Sequence, residues 1–330
     1  MAARTGTEQI VPDRDAVSGR LTGSTPPPPG RANRTSLAGG GPRVGRPWTP
    51  YAFLLPAGAL LAMFSVFPLV WALAISVQPR GAGKNGTITG FTLENFSSVL
   101  TDSRTLDSLR VTVAYALLTT FLCIAFSILT ALAIKTVRRG AGVYQAALLI
   151  PLTVAPPVVV ILWRALFNRN TGAVNGILTR LGIPEQGFYE STGQALYVLV
   201  AMAVWTNVGF WTLVYLASLN SVSTEIFEAA ELDGCGPIRK FFYVIFPLLR
   251  RTTLLAGVVL MSAGLVVFVP AQLLTQGGPG GATNFLMYMA SQEVLRYGHP
   301  GTANALVALL LLIIATTVAL QFRLLRSKDA

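Results

Sequence analysis

The stretch from Ser221 to Pro247 of this 330-residue sequence mixes charges of both signs with large apolar side chains. It carries four carboxylates at short spacing, Glu225, Glu228, Glu231 and Asp233, followed by Arg239 and Lys240. Ser223 or Thr224 can cap a helix there, with Glu225 and Glu228 in its positive first turn. Ile226, Phe227, Ala230 and Gly234 recur at three- or four-residue spacing and are expected to share a face. Ala229 and Ala230 are small enough to admit another backbone, and Gly234, Gly236 and Pro237 should stop the helix. A second amphipathic segment runs from Ile238 to Phe246, and Pro247 leads into an apolar run. A short cytoplasmic helix with a small apolar face suits docking into a protein groove. Its acidic cluster disfavours an anionic lipid surface.

A second set of side chains offers hydrogen bonds and flat rings inside apolar runs. Trp205, Thr206, Asn207, Phe210, Trp211 and Tyr215 lie in one run, and Gln272 and Thr275 end another. Hydroxyl-rich neutral solutes are held by such groups. Trp and Tyr near span ends also anchor helices at the interface, and amides in lipid also pair between helices. Trp205, Asn207, Phe210, Trp211, Gln272 and Thr275 are therefore the candidate solute path. His299 is the only histidine. It sits in a Gly-Pro loop with no ligand cluster, so it is read as solvent-facing, and no metal site is expected. Gly81-Ala82-Gly83-Lys84-Asn85 only mimics a phosphate loop, because position 78 is Gln and position 85 is Asn. No nucleotide site is expected in this chain.

These residues need a scaffold, and composition names it. The sequence is 52% hydrophobic and 12% charged, far below the charge of soluble domains. Six apolar stretches, Tyr51–Val77, Ser108–Ile134, Val143–Phe167, Ala195–Leu219, Thr253–Leu274 and Ala303–Phe322, are each long enough to cross a bilayer as a helix. The expected fold is an all-α membrane protein of six transmembrane helices, which excludes a soluble enzyme. Pro56, Pro68, Pro151, Pro156, Pro157 and Pro270 predict kinks or ends in those helices. The net charge of +11 then reflects flanking basic residues rather than nucleic-acid binding. With the N-terminus inside, seventeen Lys and Arg fall on inner segments and six on outer loops, so both termini are expected in the cytoplasm. Residues 1–47 hold Pro26-Pro27-Pro28-Pro29 and Gly39-Gly40-Gly41 with almost no large apolar side chains. They read as a disordered cytoplasmic tail, and residues 48–330 as the membrane domain, with its long inner loop at 220–251. No Asp or Glu lies well inside a span, which argues against an ion-coupled transporter. A membrane scaffold using the inner loop only for docking is the remaining alternative of a different class.

Several segments carry a family resemblance. Glu228-Ala229-Ala230, Gly234 and Val244-Ile245-Phe246-Pro247 match the EAA motif of permease subunits in binding-protein-dependent ABC importers, with Val244 and Phe246 as conservative departures. Leu274-Thr275-Gln276-Gly277-Gly278-Pro279 resembles a signature of the maltose and glycerol-phosphate branch. Trp163-Arg164-Ala165-Leu166-Phe167-Asn168 and Gly90-Phe91-Thr92-Leu93-Glu94-Asn95-Phe96 are similar to other stretches of that branch. The resemblance implies a type I importer permease in a bacterial inner membrane. It implies a second permease subunit, two ATPase subunits that bind the ATP, an extracytoplasmic solute-binding protein and a sugar-like solute. It makes Glu228, Ala229, Ala230, Asp233 and Gly234 the coupling helix that meets an ATPase. Maltose-type permeases carry asparagines in the fifth span, whereas this chain has Gly264-Leu265-Val266-Val267-Phe268-Val269-Pro270. That departure implies a solute held by the sister subunit or selected by the binding protein alone. Arg164 suits an anionic solute such as a glycerol phosphate, or it anchors its helix by snorkelling.

Overall fold

A computed structural model describes residues 49–79, 90–137 and 139–326. The proposed tail 1–47 and the glycine-lysine run 81–85 lie outside these residues. Regular structure among the described residues is helical throughout. The described residues divide into two units between Gly58 and Ala59. Of the first, only Thr49–Gly58 is described, and it is helical.

Helix α1 (Thr49–Leu61) passes through a π-turn (Ala62–Val66) into α2 (Phe67–Ser76). Pro68 has no N–H for the carbonyl four residues back, and the Phe67 N–H bonds to Ala62, five residues back. Next come α3 (Glu94–Thr101) and the 33-residue α4 (Ser103–Lys135). Asp102 caps α4 by accepting from the Arg104 N–H at 2.9 Å. Hydrogen bonds from the Arg104 side chain and backbone hold its carboxyl below the usual carboxylate range. α5 (Ala141–Thr153) and α6 (Pro156–Leu166) follow, then α7 (Ala173–Arg180) and α8 (Ala195–Asn220).

The loop after α8 holds α9 (Thr224–Leu232). α10 (Pro237–Lys240), a π-turn (Phe241–Ile245) and α11 (Phe246–Leu248) then lead into α12 (Arg250–Leu265). A further π-turn (Ala271–Thr275) precedes α13 (Leu286–Leu295) and α14 (Pro300–Arg326).

Long α4 is the spine. It packs on α8 and α12, α5 packs on α8, and α14 packs on α2, α3, α12 and α13. Side chains pin these contacts: Ser127 Oγ donates to the Val208 carbonyl at 3.2 Å, and Asn284 Nδ2 donates to Ser108 Oγ at 3.0 Å. Gly209 lets α5 approach, since a Cβ there would overlap the Leu148 carbonyl.

Two expected spans are not continuous. The third breaks between α5 and α6 with a bend of 98°. Pro156 and Pro157 supply no N–H, so the carbonyls of Leu152 and Thr153 lose the partners an unbroken helix would give them. The fifth stops at Leu265, nine residues short of the expected Leu274. At its other end, Pro237–Leu248 meets α12 at 69°. By contrast, α8 ends within one residue of expectation.

Candidate functional site

Helix α9 is bounded by local chemistry. Ser223 occupies the N-cap position, but its side chain makes no capping bond; its carbonyl accepts from the Ile226 N–H at 3.3 Å. At the other end the Gly234 N–H bonds to Glu231 and the Cys235 N–H to Ala230, each at 3.0 Å. This reciprocal pair places Gly234 at φ +71°, a conformation that glycine adopts without strain.

The expected common face of α9 is narrower than its spacing suggests. Ala230 is buried and Phe227 half-buried, while Ile226 and Gly234 are exposed. Glu225, Glu228, Ala229 and Asp233 are exposed as well. Phe227 carries the attachment. The Lys135 ammonium, at the end of α4, lies 4.2 Å from its ring centroid, and Lys240 lies 5.4 Å away. Lys135 also donates to the Leu219 carbonyl at 2.9 Å, near the end of α8. Lys240 reaches Glu231 at 2.7 Å. A single ring thus ties α9 to the ends of two long helices by cation–π and hydrogen-bond contacts. Of the motif residues, Glu228, Ala229, Asp233 and Gly234 stay exposed, and Ala230 is covered.

The candidate solute residues separate into different places. Asn207, midway along α8, lines a cavity of about 320 Å³ beside the α5–α6 break. Tyr115, Val160, Met202, Thr206 and Pro270 share its wall. Asn207 Nδ2 donates to Ala203 at 2.8 Å and the Thr206 hydroxyl to Met202 at 2.9 Å. Their remaining capacity is mainly as acceptors. Irregular backbone at membrane depth is tolerated where it lines a cavity or is covered by protein. No charged side chain lines the cavity.

The other candidates sit elsewhere. Trp211 is buried in the core, whereas Phe210 is exposed. Trp205 faces the Trp163 ring at 6.1 Å. Gln272 belongs to a separate cleft of about 200 Å³ with Gln276, Tyr288, Gln292 and Arg296. The Thr283 hydroxyl donates to Thr275 Oγ1 at 2.7 Å, which makes Thr275 part of a loop. Arg164 donates to the Leu273 carbonyl, fastening α6 to the chain after α12.

Sequence reading missed a histidine–carboxylate contact at the start of α14. His299 is about half exposed, yet its Nδ1 lies 3.1 Å from Glu293, a carboxylate with only 9% of its side chain exposed. Helix α13, which carries Glu293, was not expected from the sequence. His299 is solvent-facing, as expected, and the contact with Glu293 adds to that reading.

The family model described as "Binding-protein-dependent transport system inner membrane component" matches residues 123–328. This chain belongs to that family. The inner-membrane component is 33% identical over 288 residues to the sn-glycerol-3-phosphate transport system permease protein UgpA of Yersinia enterocolitica, covering 85% of this chain and 95% of that protein. It is equally identical to the proteins of that name from Salmonella typhimurium and Agrobacterium fabrum, covering 85% and 84% of this chain and 95% of each. In fold it resembles a bacterial ABC transporter involved in the import of the acidic polysaccharide alginate. That match has a TM-score of 0.75 at 19% identity and covers 86% of this chain and 96% of the other. A second crystal structure, of the bacterial alginate transporter in complex with an alginate-pentasaccharide-bound periplasmic protein, gives 0.73 at 20% identity, covering 85% and 94%. The all-helical importer-permease fold and the role as a transport permease follow.

Proposed function

We propose that this permease is one of two membrane subunits of an ATP-driven importer and that α9 is its coupling helix. Two ATPase subunits bind ATP and dock on Glu228, Ala229, Ala230, Asp233 and Gly234. An extracytoplasmic binding protein delivers the solute to the opposite end. The α9 end faces the cytoplasm, in keeping with the excess of basic residues on the inner segments. The observation that carries the reading is the attachment of Phe227 between Lys135 and Lys240. A force on α9 is passed through this contact to the end of α4, the helix on which α8 and α12 pack.

The solute class is a neutral, hydroxyl-rich molecule such as a sugar or polyol. The support is the uncharged cavity at Asn207, whose free groups accept hydrogen bonds from hydroxyls. A glycerol phosphate is the second reading, favoured by the named activity of the relatives. Arg164 is not among the residues lining that cavity.

Reconstitution tests both levels. Vesicles holding this chain, its sister permease, the ATPase pair and the binding protein should take up labelled solute only with ATP. Uptake by this chain alone, without an ATPase, contradicts the importer reading. A thermal-shift screen of the cognate binding protein with sugars, polyols and glycerol phosphate decides the class. Replacement Asn207→Leu should cut uptake of the selected solute roughly tenfold, the scale of about one lost hydrogen bond to a polar solute.

A further inference from the structure

The segment after α9 has a different chemistry. Pro237–Leu248 turns 69° away from α12. One row at four-residue spacing, Phe241, Ile245 and Leu249, enters the core: the last two are buried and the ring of Phe241 packs against them. The other side is exposed and apolar, with Ile238 and Tyr243 each 76% exposed, Phe242 60% and Phe246 43%. Beside them lies an open groove of about 450 Å³, lined by Gly236, Pro237, Ile238, Arg239, Phe242 and Tyr243. The Arg239 guanidinium sits 5.9 Å from the Tyr243 ring centroid. Lys240, Arg250 and Arg251 continue the basic run, with no Asp or Glu between 237 and 251.

Exposed aromatic rings mixed with arginine mark segments that lie in the headgroup region of a bilayer. We infer that Pro237–Leu248 lies in this layer and that its groove seats an anionic phospholipid. The acyl chain rests on Ile238, Phe242 and Tyr243, and the phosphate faces Arg239. Charge complementarity selects this occupant, since an apolar, aromatic groove with Arg239 at its rim and no carboxylate in its lining matches an anionic headgroup over an acyl chain. Lys240 faces the other way, toward Glu231 of α9. The lipid therefore sets the height of α9 at the membrane surface. Only this last consequence rests on α9 being the coupling helix.

The test uses the full chain without any ATPase, so its outcome is independent of the coupling reading. A nitroxide is attached through Tyr243→Cys, with Cys123 and Cys235 replaced by alanine, in nanodiscs of phosphatidylcholine alone or mixed with phosphatidylglycerol. The probe should be reached by oxygen and shielded from a water-soluble nickel reagent. Retention of phosphatidylglycerol by native mass spectrometry should fall about fivefold in Arg239→Gln. Access by the nickel reagent, shielding from both reagents as in a protein interface, or unchanged lipid retention in Arg239→Gln overturns the inference.

Discussion

Two neighbouring pieces of one loop, α9 and Pro237–Leu248, carry opposite charge although both present exposed side chains. α9 is acidic, with Glu225, Glu228, Glu231 and Asp233 on nine helical residues and their C-cap. The segment after Gly236 is basic and aromatic. The turn at Gly234 separates them, and Lys240 with Glu231 links them across it at 2.7 Å. The difference teaches how charge sign can sort exposed helices at a membrane: anionic headgroups repel an acidic helix, which suits the proposed docking of α9 on a protein, and attract a basic one, which suits the proposed lipid contact of Pro237–Leu248.

Breaking the turn should have the largest effect. Gly234→Val places a β-branched residue at φ +71°, where such residues are outliers. We expect membrane insertion to survive and ATP hydrolysis stimulated by the loaded binding protein to fall more than tenfold. Gly236→Ala, at φ −62° with open space around it, should leave that stimulation unchanged. The same hydrolysis assay reads both. Next is Phe227→Ala, which empties the contact between Lys135 and Lys240. A half-buried ring removed in this way costs about 2 kcal/mol, and the coupled rate should drop several-fold while solute-independent hydrolysis is retained.

Reversing charge on α9 sharpens the contrast further. Glu225→Lys with Glu228→Lys should weaken ATPase association several-fold and draw α9 toward phosphatidylglycerol vesicles, both effects fading as salt rises. Co-sedimentation at low and high salt reads this shift. The smallest effect belongs to Lys240→Gln. Glu231 is largely exposed, such pairs contribute at most about 1 kcal/mol, and the stimulated hydrolysis rate should stay within about twofold.

The contrast also explains what sequence made legible. α9 was readable because its stop signal is local: a glycine that must take positive φ leaves a mark at one position. α8 was readable because a long apolar run without an internal proline can only be one helix. The α5–α6 break was half readable. Pro156 and Pro157 announce a disruption, but the 98° turn is set by how the two helices pack around a cavity. The split between Asn207 and Gln272 was hidden, because spacing along the chain says nothing of which cavity a side chain lines. Helix α13 is short and was masked by its glycine-rich approach, so the pairing of Glu293 with His299 could not be seen. Spacing puts Ile226 on one face with Phe227, Ala230 and Gly234, yet only Phe227 and Ala230 are drawn in, because spacing along a helix does not say how wide a face its neighbours cover.

The most direct measurement places a photoreactive side chain at Ala229 on α9 or at Tyr243 beyond the turn, in the complete transporter within native-like lipid. Illumination should attach Ala229 to an ATPase subunit and Tyr243 to phospholipid. Attachment of Ala229 to lipid, with no adduct on an ATPase subunit, contradicts the account.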